Sequence, residues 1–255
     1  MTTTVVRPTT LIPAPRSSGD GVCDAVVQAA ATTAGRAVSY QRVLHQLVRR
    51  ELRMLAELAV WAAPADQGRS ATLTRHADLI SRVLLHHHAV EREAVWPALL
   101  RMVPDDRAAE VRSAVEDWTA GCARIDNMLR DVATAARQWQ VAGTGGARDG
   151  FAAACATVAD AVDAQTAEEE RTLLPLLGEY LRLGDWAAIA RSSHCRLSGP
   201  EQLLVLGLAL EDSCAGDRAR LLDGLPRSVR LAWRTYGIRH YRAAVVRLRG
   251  APPAA

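Results

Sequence analysis

The stretch LHHHAVEREAVWPAL, residues 85–99, places three histidines and two glutamates inside an otherwise apolar segment. Residues four apart lie on the same face of an α-helix, one above the other. His87 and Glu91 have this spacing, and they share a face with Ile80 and Val83, which the helical pattern assigns to the core. The pattern therefore predicts a nitrogen and a carboxylate presented together to the protein interior.

The two flanking histidines have other neighbours on the same helix. His86 lies over Arg82, toward the solvent side. His88 lies over Leu84 and Arg92, which places it at the edge of the apolar stripe. The spacing thus selects the middle histidine of the three as the one that faces the core.

Apolar residues recur with a helical period over most of the chain from Val38 onward. Breaks at Pro64, at residues 104–106 and at the glycine-rich residues 143–146 divide the first part into four amphipathic segments of similar length. Four such segments predict an all-α protein built on an antiparallel four-helix bundle. The predicted organisation is a weakly ordered leader at 1–36, the bundle at 37–182, a helical extension packed on it at 183–250 and a tail at 251–255.

Composition narrows the cellular setting. The 255 residues carry a net charge of only +3, which is too small to indicate a nucleic-acid partner. The five cysteines are scattered without a CxxC pair, as expected in a reducing compartment. The N-terminus lacks the apolar core of a secretory signal, and no apolar run approaches the ~18 residues of a membrane span. We therefore expect a cytoplasmic protein without a membrane span, and we read the arginines of the last helix as a solvated face.

The fourth helical segment repeats the chemistry of the second. QTAEEERTLLP, which begins at Gln165, aligns without a gap with HHAVEREAVWP, which begins at His87. Glu169 takes the position of Glu91, and each of these glutamates precedes a proline by six residues. The match predicts a second carboxylate in the interior.

Two interior carboxylates need a partner, because an unpaired buried carboxylate costs on the order of several kcal/mol. A metal ion held with nearby histidines would satisfy Glu91 and Glu169, and so would a buried arginine such as Arg49, one turn after His45. Taken alone, His45 is more often a hydrogen-bonded core residue than a metal ligand, and the same holds for Cys122 on the third segment.

The quoted motifs resemble the hemerythrin-like, HHE cation-binding family. The resemblance rests on HQLVRREL, HHAVEREAVWPAL, CARIDNML and QTAEEERTLLPLL in the four segments. The later stretches LGDWAAIA, LLDGLP, RLAWRTYG and HYRAAVVRLRG are similar to an extension of bacterial members. The resemblance to the family covers about Val38 to Gly250. It implies two non-haem irons inside the bundle, ligated by histidines from all four helices and bridged by two carboxylates.

Residue by residue, the resemblance implies an incomplete ligand set. The matching positions are His45, His87, Glu91 and Glu169. Cys122 and Gln165 stand where the third and fourth helices of the family offer histidine. The expectation is one well-held iron and a second that is weak or absent, unless the Cys122 thiolate or Asp126 rescues it. The alternative is that Cys122 and Gln165 only fill space.

The implied function is an iron-dependent oxidoreductase that binds or activates dioxygen, peroxide or nitric oxide toward a small-molecule substrate. His88 or Arg49 would then orient a ligand or move a proton. Oxygen transport fits less well, because it needs the complete histidine supply. Two alternatives remain open: haem with His45 or His87 as axial ligand, and a metal-poor scaffold or sensor that acts through a partner. The sequence leaves the oligomeric state open.

Overall fold

The structure, a computed structural model, describes residues 24–193 and 195–251. All regular structure in these ranges is helical, which confirms the predicted all-α class. Most of the predicted leader and all but the first residue of the predicted tail lie outside the described residues. None of the described helices is both long and apolar enough to cross a membrane.

The helices follow one another with short connections. The first part of the chain forms α1 Asp24–Trp61, α2 Gln67–Val90, α3 Trp96–Leu100, α4 Asp105–Ala142, α5 Gly145–Thr172, α6 Leu174–Tyr180 and α7 Leu183–Ser192. The later part forms α8 Gly199–Glu211, α9 Ala215–Gly224, α10 Arg227–Ala232 and α11 Ile238–Arg249. Two π-helical turns, Glu91–Val95 and Trp233–Gly237, join α2 to α3 and α10 to α11. Helix α1 therefore begins inside the segment predicted as leader.

The two aligned prolines explain why the second and fourth long helices are interrupted. A proline inside a helix lacks a donor and clashes with the carbonyl four residues earlier. Before Pro97 the chain widens, and the Trp96 N–H bonds to the carbonyl of Glu91, five residues back. Before Pro175, α5 ends at Thr172, Leu173 interrupts the regular helix, and α6 starts at Leu174. Each proline thus coincides with a distortion of its helix just after an interior glutamate, and the π turn Glu91–Val95 is of a kind frequently found at functional sites.

Side-chain caps fix several helix starts. Asp66 accepts a hydrogen bond from the backbone N–H of Arg69 at the start of α2. Ser198 and Glu201 form a reciprocal capping box at the start of α8. These side chains satisfy backbone groups that the first turn of each helix would otherwise leave without a partner.

The four long helical segments enclose two apolar clusters. Helix α1 packs against α2 and α5, and α4 packs against the same two helices. The larger apolar cluster includes Leu52, Leu84, Leu129 and Val158. The smaller apolar cluster includes Ala37, Leu99, Trp118 and Leu177. Along the chain, α1 and α4 run from the smaller cluster to the larger one, whereas α2–α3 and α5–α6 run the other way.

The later helices lie against α1 and α2. Helix α8 contacts α1 and α11, α9 contacts α1, and α11 contacts α2. The α8–α11 contact depends on Gly207, because a Cβ at this position would lie 2.3 Å from Cδ2 of Tyr241. The absence of a side chain there lets the two helices approach closely.

A buried ion-pair network, which we call the Glu51 network, ties α11 to the long helices. Glu51 accepts hydrogen bonds from His76 Nε2 at 2.7 Å, Arg50 Nε at 2.7 Å and Arg249 Nη2 at 2.9 Å. Arg249 also donates to Glu211 of α8 at 2.5 Å. Arg249 is therefore an exception to the predicted solvated arginine face, because a buried carboxylate binds it.

Burial and ion pairing act in opposite directions on Glu51. Burial alone would raise the pKa of this carboxyl, but His76, Arg50 and Arg249 outweigh it and lower the pKa to about 2. The Glu51 carboxyl therefore carries its full negative charge in the interior at neutral pH.

Candidate metal centre

Four buried side chains converge between the two apolar clusters. They are His45 from α1, His87 from α2, Glu91 from the π turn and Glu169 from α5, and one ligand atom from each lies within 4.8 Å of all the others. A metal bound by nitrogen and oxygen at about 2.0–2.2 Å keeps its ligand atoms within about 4.4 Å of one another. A contraction of a few tenths of an ångström would close this four-residue cluster around one ion.

Three atoms of the four-residue cluster are buried without a hydrogen-bond partner among the described residues: His45 Nε2, Glu91 Oε2 and Glu169 Oε1. Two close contacts join these atoms within the cluster: His45 Nε2 lies 3.5 Å from Glu169 Oε1, and Glu91 Oε2 lies 3.2 Å from His87 Nε2. Buried polar atoms normally have a hydrogen-bond partner, and leaving one unsatisfied costs about 1–3 kcal/mol. Buried nitrogen and oxygen atoms that face one another without hydrogen-bond partners are the pattern expected of metal ligands.

The pKa shifts divide the four cluster residues into two pairs. The shifts of His45 and Glu169 favour the charged forms, and those of His87 and Glu91 favour the neutral forms. Burial disfavours the charged form of His45, but the Glu169 carboxylate outweighs it and raises the His45 pKa to about 9. Burial also opposes the ionisation of Glu169, but His45 lowers the Glu169 pKa to about 2. Burial and the charge of His45 hold the His87 pKa well below its usual value. Burial and the Glu169 carboxylate hold the Glu91 pKa well above its usual value.

A second layer of contacts orients His45. Its Nδ1 lies 2.9 Å from Glu170 Oε1, which leaves Nε2 directed at the cluster. Arg49 Nη2 lies 3.2 Å from the same Glu170 oxygen, and Arg49 Nε donates to Thr166 Oγ1 at 2.5 Å. A carboxylate on the far nitrogen of a histidine is the usual partner of a metal-binding imidazole. Arg49 therefore acts on His45 through Glu170 and does not pair with either cluster glutamate.

Each cluster glutamate is held by one N–H donor. Gln41 Nε2 donates to Glu91 Oε1 at 2.5 Å, and Trp118 Nε1 donates to Glu169 Oε2 at 2.9 Å. In both cases the second oxygen of the carboxylate remains for the cluster. The donors thus fix the orientation of both carboxylates without using the atoms that face the other ligands.

His88 is buried, and the prediction that it lies at the edge of the stripe is wrong. Asp126 of α4 explains the difference, because its Oδ1 lies 2.7 Å from His88 Nδ1 and supplies the acceptor that a buried imidazole needs. The His88 ring also meets the ring of Trp118 edge-on, with centroids 6.1 Å apart. Asp126 therefore contacts His88 and does not belong to the four-residue cluster.

Cys122 also lies outside the four-residue cluster. Cys122 is fully buried, and its burial together with the charges of both cluster glutamates raises the pKa of its thiol far above the ordinary value. The Gln165 amide donates to the Trp118 carbonyl at 3.2 Å. It lies against Gly121, where a Cβ would lie 1.9 Å from Gln165 Oε1. The two side chains contribute to the contact between α4 and α5.

The sequence pattern brought together His45, His87, Glu91 and Glu169, but it did not identify the residues that orient them. Gln41 lies on the predicted interior stripe of α1, and a polar residue there signals a buried hydrogen bond. Trp118 lies on the stripe of α4, where its indole N–H requires an acceptor. Glu170 carries no such signal, because it follows an interior glutamate and pairs with a residue 125 positions away.

The comparison with protein families agrees with this geometry. Residues 36–177, more than half of the 255-residue chain, match the family model described as hemerythrin HHE cation binding domain. The protein belongs to this family, and all four cluster residues lie inside the matched range. No curated protein and no solved structure matches the chain.

Proposed function

We propose that the protein is an antiparallel four-helix bundle that holds one iron ion through His45, His87, Glu91 and Glu169 and acts as an oxidoreductase. The alternating direction of the long helices between the two apolar clusters supports the antiparallel arrangement. The observation that carries the metal site is the set of buried ligand atoms, three of them without a hydrogen-bond partner, that face one another within 4.8 Å.

Two histidines with carboxylates are a ligand set that leaves coordination positions open on iron. Iron in such a set supplies Lewis acidity and electron transfer to dioxygen, peroxide or nitric oxide, and a small-molecule substrate would be oxidised in turn. The surrounding residues keep the ligands in place: Gln41 holds Glu91, Trp118 holds Glu169, and Glu170 holds His45. The apolar clusters on both sides exclude water from the ligands.

His88 and Arg49 take different supporting roles in this proposal. His88 lies beside His87, with ring centroids 6.0 Å apart, and its Nδ1 lies 2.7 Å from Asp126 Oδ1. His88 is therefore our candidate for moving a proton. Arg49 is a positioning residue that fixes Glu170, and Glu170 in turn orients His45.

A second iron has less support. Asp126 would have to leave His88, and the Cys122 thiol would have to lose a proton against the charges of both cluster glutamates. Gln165 would have to turn away from Gly121 and from the Trp118 carbonyl. We therefore propose one iron in a cytoplasmic protein that acts on a diatomic gas or peroxide and a small molecule.

The experiment is a determination of metal content on protein purified without oxygen, together with its ultraviolet–visible spectrum. We expect about one iron per chain and no Soret band. His87→Ala and Glu169→Gln should abolish iron binding while the circular dichroism stays helical, whereas His240→Ala, on α11 outside the cluster, should bind iron normally.

The other outcomes each contradict a part of the proposal. Two irons per chain would contradict the single-iron site. A Soret band would show that the protein binds haem, which would contradict a non-haem iron held by the four cluster residues. No metal after reconstitution with ferrous iron would leave a helical scaffold and refute the oxidoreductase. Iron binding without any turnover of dioxygen, peroxide or nitric oxide would support a sensor instead.

A further inference from the structure

A cavity of about 640 Å³ lies between α1, α2 and the later helices. Its walls come from α1, α2, residues 195–198, α8, α9 and residues 225–236. None of the four cluster residues lines it, so it is distinct from the candidate metal centre. Its volume lies within the roughly 300–1,000 Å³ range of small-molecule binding sites.

The cavity has an apolar floor and a more polar mouth. The floor is formed by buried side chains, among them Val43, Val83, Cys195, Leu206 and Leu221. The mouth includes the exposed residues Pro200, Ser228 and Tyr236. All the lining residues lie in the described part of the chain, and none of them is an aspartate, glutamate or arginine. A lining without any of these three residue types offers an ionised ligand no permanent countercharge.

Several polar groups around the cavity already have partners. Ser198 Oγ accepts the Glu201 N–H in the cap of α8, and Gln202 Nε2 donates to the Leu197 carbonyl at 2.9 Å. The hydroxyl of Tyr236 lies 3.2 Å from His240 Nδ1. A charged ligand placed on the apolar floor would lose its hydration without gaining an ion pair, at a cost of several kcal/mol by order of magnitude.

We propose that this cavity binds a neutral, predominantly apolar small molecule, with its hydrocarbon body on the buried floor and its polar group at the mouth near Ser228 and Tyr236. This site goes beyond the proposed iron chemistry, because binding requires no metal.

Three residues that line the cavity are neighbours in sequence of residues at the candidate metal centre. Tyr40, Leu44 and His86 line the cavity, and each directly precedes a residue of the centre or of its hydrogen-bond layer. Those next residues are Gln41, His45 and His87. Residues 40 and 44 of α1 thus form a wall of the cavity, while residues 41 and 45 face the centre.

A small molecule fits this cavity better than a peptide segment. Four separate stretches of the chain, residues 40–44, 83–86, 195–209 and 221–236, surround the space, and each of the five floor residues is more than nine-tenths buried. A bound helix or strand would need a groove open along its length. The remaining competitor is the N-terminal segment 1–23 of the same chain, which the experiment must distinguish.

The test uses two fluorescent probes that share one aromatic ring system and differ by an anionic group, added to the metal-free protein. N-phenyl-1-naphthylamine is neutral, and its 8-sulfonate is anionic. We expect saturable one-to-one binding of the neutral probe and binding of the sulfonate at least about tenfold weaker, because the sulfonate would be desolvated without a countercharge.

Three variants locate the probe. Ala232 lines the cavity and is partly buried, so Ala232→Trp should fill it and weaken binding of the neutral probe by about tenfold or more. The matched control is Ala244→Trp, a partly buried position on α11 that does not line the cavity, and it should leave affinity unchanged. Ser228→Arg adds a charge at the exposed mouth and should strengthen sulfonate binding several-fold, which keeps the test decisive if the tryptophan variant does not fold.

Four results would overturn the proposal. The neutral probe fails to bind the folded protein, or the sulfonate binds as tightly as the neutral probe. Ala232→Trp and Ala244→Trp bind the neutral probe equally well. The probe binds only after residues 1–23 are removed, which would make that segment the occupant.

Discussion

Replacing Glu51 by glutamine tests the ion-pair network that joins α11 to the long helices. Glu51 is completely buried and faces His76, Arg50 and Arg249. Its pKa falls from the ordinary 4.5 to about 2, and at 1.36 kcal/mol per pKa unit this corresponds to ~3 kcal/mol of stability at neutral pH. Removing one partner of a buried ion pair typically costs about 3–5 kcal/mol, which agrees in size.

The dependence on pH separates this charge effect from a loss of packing. Because the folded-state pKa is lowered, the stabilisation is complete above the unfolded-state pKa near 4.5 and is lost as the pH falls toward 2. The same linkage relation leaves roughly 1.4 kcal/mol at pH 3. The difference in unfolding free energy between wild type and Glu51→Gln should therefore shrink by ~2 kcal/mol between pH 7 and pH 3.

The assay is urea unfolding of the metal-free protein, followed by far-ultraviolet circular dichroism at each pH. Glu57→Gln, the same substitution at an exposed position of α1, is the control and should change the unfolding free energy by less than about 0.5 kcal/mol. A difference between wild type and Glu51→Gln that is the same at pH 7 and pH 3 would refute the role assigned to the buried charge.

Three further substitutions test the candidate metal centre and the packing of the later helices. Glu170→Gln should weaken iron binding by about 10- to 100-fold in a chelator competition, because His45 loses its orienting carboxylate, while Glu168→Gln on the exposed side of the same helix should have no effect. Cys122→Ser should leave the iron content and the absorption spectrum unchanged, since the thiol is protonated and outside the four-residue cluster; a lost absorption band would make Cys122 a ligand. Gly207→Ala should destabilise the protein by about 1–3 kcal/mol in thermal unfolding, because its Cβ would overlap Tyr241, whereas Gly199→Ala, with open space around it, should not; equal effects would contradict the close α8–α11 contact.

Helical periodicity predicted the fold class and the approximate positions of the interior ligands. The spacing of His87 and Glu91 within one helix, and the match that places Glu169 at the position of Glu91, are local features of the sequence. Local spacing decides which face of a helix a residue occupies, so these features could be read without the structure.

Contacts between distant parts of the chain could not be predicted in the same way. The burial of His88 depends on Asp126 of another helix, and Glu170 reaches His45 across 125 positions. Glu51 did carry a local signal, because it lies three residues after Val48 and four before Leu55, both fully buried. Its neighbours Arg49 and Arg50 make the same stretch resemble a charged surface, and the signal was missed.

The position of the four ionisable side chains between two apolar clusters has a consequence for how this sequence can change. Without a bound cation, nothing about folding favours a charged pair and two further polar groups in the middle of the core. Well-packed apolar residues of similar volume at His45, His87, Glu91 and Glu169 would leave the helical core as stable or more stable, by on the order of 1–4 kcal/mol for a buried ion pair. Under the proposed function, a lineage that no longer used the centre would therefore drift toward leucine and methionine at these four positions.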